Sequence, residues 1–120
     1  MNINLAIKQG SKILKNRFVP NYQLDSEILM AKTIKKDRNY ILLNSKYILN
    51  KNELHHFYKL IKSRSFGNPV AYLTNKKFFW DSEFFVTTNT LIPRPDTELI
   101  VENVLNFTKQ KNNINILDIG

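Results

Sequence analysis

The sequence has no cysteine, so neither a disulfide nor a thiolate-bound metal enters its chemistry. That fits a reducing compartment. Only three glycines and four prolines occur in 120 residues, too few for a loop-rich or disordered chain. No apolar run approaches the ~20 residues that span a bilayer. Lys8, Lys12 and Lys15 interrupt the stretch where a secretory apolar core would stand. The expectation is a soluble, cytoplasmic protein with no membrane partner. The only histidines, His55 and His56, are adjacent and so face different directions on a helix. Without matched spacing they predict no metal site. Acid is scarce at the front: residues 1–77 carry fifteen Lys/Arg against four Asp/Glu, a net +11. Residues 78–120 carry three against six, a net −3. Such a basic half can steer an acidic partner or RNA, or can be lysine scattered over solvated faces. No tight Lys/Arg cluster interleaved with aromatics is present, so nucleic acid is not expected as a partner.

What is there supports a core, since 42% of the residues are hydrophobic. One domain is the default at this length, and a second does not fit completely. Leu5, Ile7, Ile13, Leu14 and Phe18 predict a first helix over about 3–17, ended by Pro20. Leu24, Ile28, Leu29, Ala31 and Ile34 recur at helical spacing over about 22–36. There Asp25 and Glu27 suit the positive end of the helix dipole, and Lys35 and Lys36 the negative end. A short helix is predicted over Arg38–Asn44, with Tyr40, Leu42 and Leu43 inward. Asn50 and Glu53 have capping-box spacing for a helix presenting Leu54, Phe57, Tyr58 and Ile61, stopped by Gly67. Pro69 can open a short helix carrying Val70, Tyr72 and Leu73.

After Thr74 the texture changes. Phe78–Trp80 and Phe84–Thr88 are strand-like, and Asp81-Ser82 between them predicts a hairpin turn. A proline-bearing loop over 89–95 leads to a helix capped by Asp96 or Thr97 and reaching about Lys111. Its apolar positions are Ile100, Val101, Val104, Leu105 and Phe107. Ile114–Ile119 is an apolar, β-branched run of strand length that meets Asp118 and Gly120. A strand entering an acid and a first glycine is how a doubly wound nucleotide-binding domain opens. The most specific segment is Leu91-Ile92-Pro93-Arg94-Pro95-Asp96-Thr97-Glu98. Its two prolines fix the backbone on both sides of Arg94. That bracket either aims a guanidinium fork at a carboxylate or leaves Arg94 paired with Asp96 or Glu98.

The ordered series Gly67-Asn68-Pro69-Val70-Ala71-Tyr72-Leu73-Thr74, Phe79-Trp80, Phe85-Val86, Leu91 through Glu98, Leu99-Ile100-Val101-Glu102 and Ile116 through Gly120 resembles the release-factor glutamine methyltransferases, the HemK/PrmC family. Asp25 through Ala31 resembles that family's second helix. The resemblance implies the N-terminal portion of an enzyme that methylates the glutamine of the Gly-Gly-Gln loop in peptide chain release factors. S-adenosylmethionine is the implied cofactor. The implied fold is a mainly α helical bundle over 1–75, which recognises substrate, and a β-hairpin linker over 76–95. The first helix and strand of a truncated Rossmann-like methyltransferase domain follow over 96–120. Gly120 matches the first glycine of the cofactor loop. Leu91, Pro93 and Arg94 match residues beside the active site. No catalytic residue is expected in this chain, because the family's Asn-Pro-Pro-Tyr motif is absent from it, and these 120 residues alone are expected to be inactive. Asn75 stands where the family has glycine, in a turn that asparagine tolerates. The implied partner is a release factor and the implied state a monomer. The alternative is a stand-alone helical module that docks a release factor or another acidic partner without catalysis.

Overall fold

A computed structural model describes residues 1–119; Gly120 and the cofactor-loop role expected of it lie outside the described residues. The chain forms two compact units that part after Asn75. The first holds five helices: α1 (Ile3–Asn16), α2 (Tyr22–Ile34), α3 (Arg38–Leu43), α4 (Lys51–Ser65) and α5 (Val70–Thr74). The second holds an antiparallel hairpin of β1 (Lys76–Phe79) and β2 (Ser82–Phe85), then a single 3-10 turn (Pro95–Thr97) and α6 (Glu98–Thr108).

Local chemistry explains where the helices begin. The Asn2 side chain accepts from Leu5 N–H at 2.9 Å and caps α1. The next free donors of α1, Ile3 and Asn4 N–H, reach the carbonyls of Tyr47 and Ser45, both at 3.0 Å. The α3–α4 connection thereby satisfies a helix start that has few partners of its own. Asp37 caps α3 through Tyr40 N–H at 2.7 Å. The expected capping box of α4 is formed, with Glu53 N–H on Asn50 at 2.9 Å and Asn50 N–H on Glu53 at 2.8 Å.

Helix ends follow the left-handed closure. After α1, Val19 N–H returns to Leu14 O at 3.2 Å while Phe18 sits at φ 59°. Gly67, at φ 99°, stops α4, and Asn75, at φ 60°, stops α5. Asparagine serves in that last turn because its side chain tolerates the left-handed region. Pro69 is the cap residue before α5 rather than its first helical residue.

The first core differs from the apolar positions read off the sequence. α1 buries Ile3, Ala6, Gly10 and Leu14, while Leu5 and Ile13 are exposed and Phe18 is 94% exposed. Close approach decides this. A Cβ at Gly10 would lie 2.8 Å from Ser26 Oγ, 2.9 Å from Phe57 Cζ and 3.0 Å from Ile61 Cδ1. The small residues let α1 sit against α2 and α4, and that contact selects the buried stripe. In α3 the inward residue is Ile41, with Tyr40 half-buried and Leu42 and Leu43 exposed. In α4 Phe57 and Ile61 are fully buried, as the spacing predicts, and Leu60 joins them. Burying each such side chain contributes about 1.5–3 kcal/mol.

The second unit departs further from expectation. The hairpin register pairs Lys76 with Phe85 and Phe79 with Ser82, so the turn is Trp80-Asp81 rather than Asp81-Ser82. Thr87 and Thr88 lie beyond the strand. Neither Asp96 nor Thr97 caps α6 with its side chain; a 3-10 turn leads into the helix, and the Glu98 carboxylate accepts from Trp80 N–H. α6 ends at Thr108 and buries no residue. Ile114–Ile119 forms no strand: among the described residues no neighbouring strand completes its hydrogen bonds, and Leu117 and Ile119 are over 80% exposed. The Rossmann-like sheet expected from the sequence is therefore not part of the described structure.

Candidate functional site

The proline-bracketed loop is built by its backbone. Thr87 N–H donates to Thr90 Oγ1 and Thr90 N–H returns to Thr87 O, both at 2.9 Å, which folds the chain back after the hairpin. Arg94 is extended at φ −96°, ψ 141°, as a residue before proline must be. Its carbonyl accepts from Thr97 N–H at 3.1 Å and starts the 3-10 turn. Arg94 is exposed and forms no ion pair with Asp96 or Glu98. Glu98 instead accepts from Trp80 N–H at 2.7 Å and ties the hairpin turn to the start of α6. Trp80 itself is left-handed, at φ 57°, a strained setting for an aromatic residue. Pro93 is half-buried and Leu91 is 81% exposed. Among the described residues no carboxylate shares the Arg94 guanidinium, and its fork on a stiff backbone is suited to one carboxylate or phosphate. Leu91, Arg94, Ile116 and Leu117 all stand open to solvent.

The first unit contains a groove of about 730 Å³ between α1, the start of α2, and α3. Ile3, Ile7, Tyr22, Ile41 and Leu42 give it an apolar floor and wall. Lys8, Lys12 and Lys15, spaced four and three apart on α1, form one rim. Ser11 sits among them, its hydroxyl oxygen out of solvent and without a hydrogen-bond partner. Glu27 lines the opposite wall, and its carboxylate holds Arg38 at 2.7 Å. None of these roles is visible from spacing, because they need α1, α2 and α3 assembled around one groove.

Two acids read as helix-dipole residues turn out to be pins. Asp25 is 7% exposed and binds Arg64 of α4 at 2.7 Å; Glu27 is 6% exposed and binds Arg38 at 2.7 Å. Arg64 also donates to Asn68 O at 3.3 Å, so the same guanidinium holds the Gly67–Pro69 bend. His55 and His56 are both exposed on α4, and no group of metal ligands exists among the described residues. No helix among them is long and apolar enough to cross a membrane.

Comparison with known proteins places these units. The family model of the PrmC N-terminal domain matches residues 6–74, which end where α5 ends. The release factor glutamine methyltransferase of Buchnera aphidicola subsp. Schizaphis graminum is 40% identical over 120 residues, 100% of this chain and 42% of that protein. Its namesake in Leptospira interrogans is 39% identical over 119 residues, 98% of this chain and 42% of the relative. That of Clostridium botulinum is 37% identical over 111 residues, 92% of this chain and 39% of the relative. The chain spans about two fifths of the length of these curated relatives. With a helical unit matched from α1 to α5 and alignment to full-length relatives that extends over the hairpin, the proline bracket and α6, the chain belongs to the release factor glutamine methyltransferases, as their N-terminal portion.

Proposed function

We propose that these residues are the substrate-recognition and linker portion of an S-adenosylmethionine-dependent enzyme that methylates the glutamine of the release-factor Gly-Gly-Gln loop. On this reading residues 1–75 recognise the release factor, 76–95 are the linker, and 96–120 open a Rossmann-like domain. S-adenosylmethionine would supply the methyl group and Gly120 would lie in its loop. The observation that carries the reading is an alignment at 40% identity that covers the whole chain, both of its units of unlike structure included.

Within this reading Arg94 is a positioning residue. Its prolines hold the backbone, and no acid of its own turn neutralises it. Leu91 and Pro93 shape the same loop. The family's Asn-Pro-Pro-Tyr motif is absent from these 120 residues, so these residues alone lack the positioning from which such a reaction draws its rate.

The test is a chimera that joins residues 1–120 to the remaining three fifths of the Buchnera relative. Mass spectrometry of release factor incubated with it and S-adenosylmethionine is expected to find one methylated glutamine. The 120 residues alone are expected to give none, and to bind the cofactor no better than millimolar by calorimetry. An inactive but folded chimera overturns the reading. In the active chimera, Arg94→Ala is expected to lower turnover about tenfold or more, a loss of one electrostatic or orienting contact, with little change in Tm. Normal turnover with a lowered Tm would make Arg94 structural only.

A further inference from the structure

We infer that the α1–α2–α3 groove is a docking site for an acidic amphipathic helix of a protein partner. The inference deepens the recognition role proposed for residues 1–75 and rests on it.

The charge balance around the groove is one-sided. The first 24 residues contain no acid, so α1 has nothing of its own to pair with Lys8, Lys12 and Lys15. Glu27, the acid in the groove wall, is already bound to Arg38 at 2.7 Å. The other ion pair among the described residues joins Arg64 to Asp25. Lys15 lies 5.7 Å from the Tyr22 ring, which orients its ammonium without neutralising it. Three exposed cations therefore border an apolar trough, and no ion pair among the described residues joins any of them to an acid.

Spacing defines what would fill it. Residues 8, 12 and 15 form one stripe, and at about 1.5 Å rise per residue they spread over ~10 Å of α1. A partner helix packed alongside would meet them with carboxylates at i, i+3 or i+4, and i+7. Its apolar side chains would enter between α1 and α3, the helix-in-groove mode. A nucleic acid fits less well. It needs stacking rings between the cations, whereas the groove offers one half-buried Tyr22 and an aliphatic floor.

The test uses the full 120-residue chain and fluorescence anisotropy. The probes are a synthetic amphipathic peptide of four helical turns with glutamates at i, i+4 and i+7, its lysine counterpart, oligouridylate, and intact release factor. The glutamate peptide is expected to bind and the lysine peptide not. Lys8→Glu/Lys12→Glu/Lys15→Glu should weaken binding about tenfold or more. Lys51→Glu/Lys59→Glu/Lys62→Glu, an equal charge change on α4, should weaken it less than about threefold, since screening cuts distant charges. Leu42→Ser, at an exposed groove residue, should weaken it severalfold at unchanged Tm. Failure of the glutamate peptide to bind, equal loss in both triple variants, or oligouridylate binding through the same lysines without peptide binding overturns the groove. Release factor that binds the α1 triple variant as well as the parent chain also overturns it and leaves the recognition reading standing. Peptide binding that depends on the lysines, without release-factor binding, supports the groove and removes the release factor as its occupant.

Discussion

Gly10 has no side chain, yet it sets the stripe that α1 buries. The three atoms nearest its absent Cβ belong to Ser26, Phe57 and Ile61, each 0% exposed. Such atoms have nowhere to retreat. Gly10→Ala gains about 1 kcal/mol in helix propensity, but overpacking a closed core costs about 1–3 kcal/mol. The net expectation is destabilisation, read as a lower Tm at about 4–8 °C per kcal/mol. A Tm equal to or above the parent's would show that α1 and α4 can separate freely. At Asp25 and Arg64 the issue is charge. Arg64→Ala leaves a buried carboxylate unpaired and is expected to cost about 3 kcal/mol in denaturant unfolding. The double change Asp25→Leu/Arg64→Met should recover much of that, because neither charge then stays buried alone.

At the scale of elements, α4 depends most on its own termini. Its capping box closes two donors at once, and Asn50→Ala is expected to cost about 1 kcal/mol. Glu53 has a second role, accepting from the Tyr47 hydroxyl at 3.2 Å. That bond and the charge of Glu53 raise the Tyr47 pKa. Burial raises that of Tyr58, whose hydroxyl donates to Gln9 Oε1 at 2.6 Å. A raised phenol pKa means that the folded form holds its proton more tightly than the unfolded one. The contribution is complete below the unfolded value of about 10 and is lost as pH rises through the folded values. The urea midpoint is therefore expected to decline above that pH. Tyr47→Phe/Tyr58→Phe should decline less; an identical decline assigns the alkaline loss to other groups.

For the whole molecule, the two units predict unequal protection. The five-helix unit encloses Phe57, Leu29, Met30 and Ile61, all 0% exposed. In the second unit α6 buries nothing, and Leu99, Ile100, Leu105 and Phe107 are half or more exposed. Amide exchange follows the free energy of local opening. Slow exchange is expected across α2 and α4, and fast exchange over 98–119. Protection of 114–119 equal to that of 22–34 in a monomer would mean that this segment has found a partner surface. The exposed apolar side chains of α6 also predict concentration-dependent association.

The sequence by itself determined the elements whose causes are local. Asn50 with Glu53 and Gly67 after α4 depend on backbone donors and dihedrals within a few residues, so composition and spacing specify them. The proline bracket around Arg94 is legible for the same reason. Which face each element buries was decided by tertiary packing. Leu5, Ile13 and Phe18 have the apolarity of a core stripe, but the Ala6–Gly10 surface permits the closer approach, and contact energy rewards closeness over side-chain size. Asp25 and Glu27 have the position of dipole residues, and only the arrival of Arg64 and Arg38 from elsewhere makes them buried ion pairs. The groove exists in neither α1 nor α3 alone. The run at 114–119 has strand composition, but a strand needs a hydrogen-bonded neighbour, which no single segment supplies for itself.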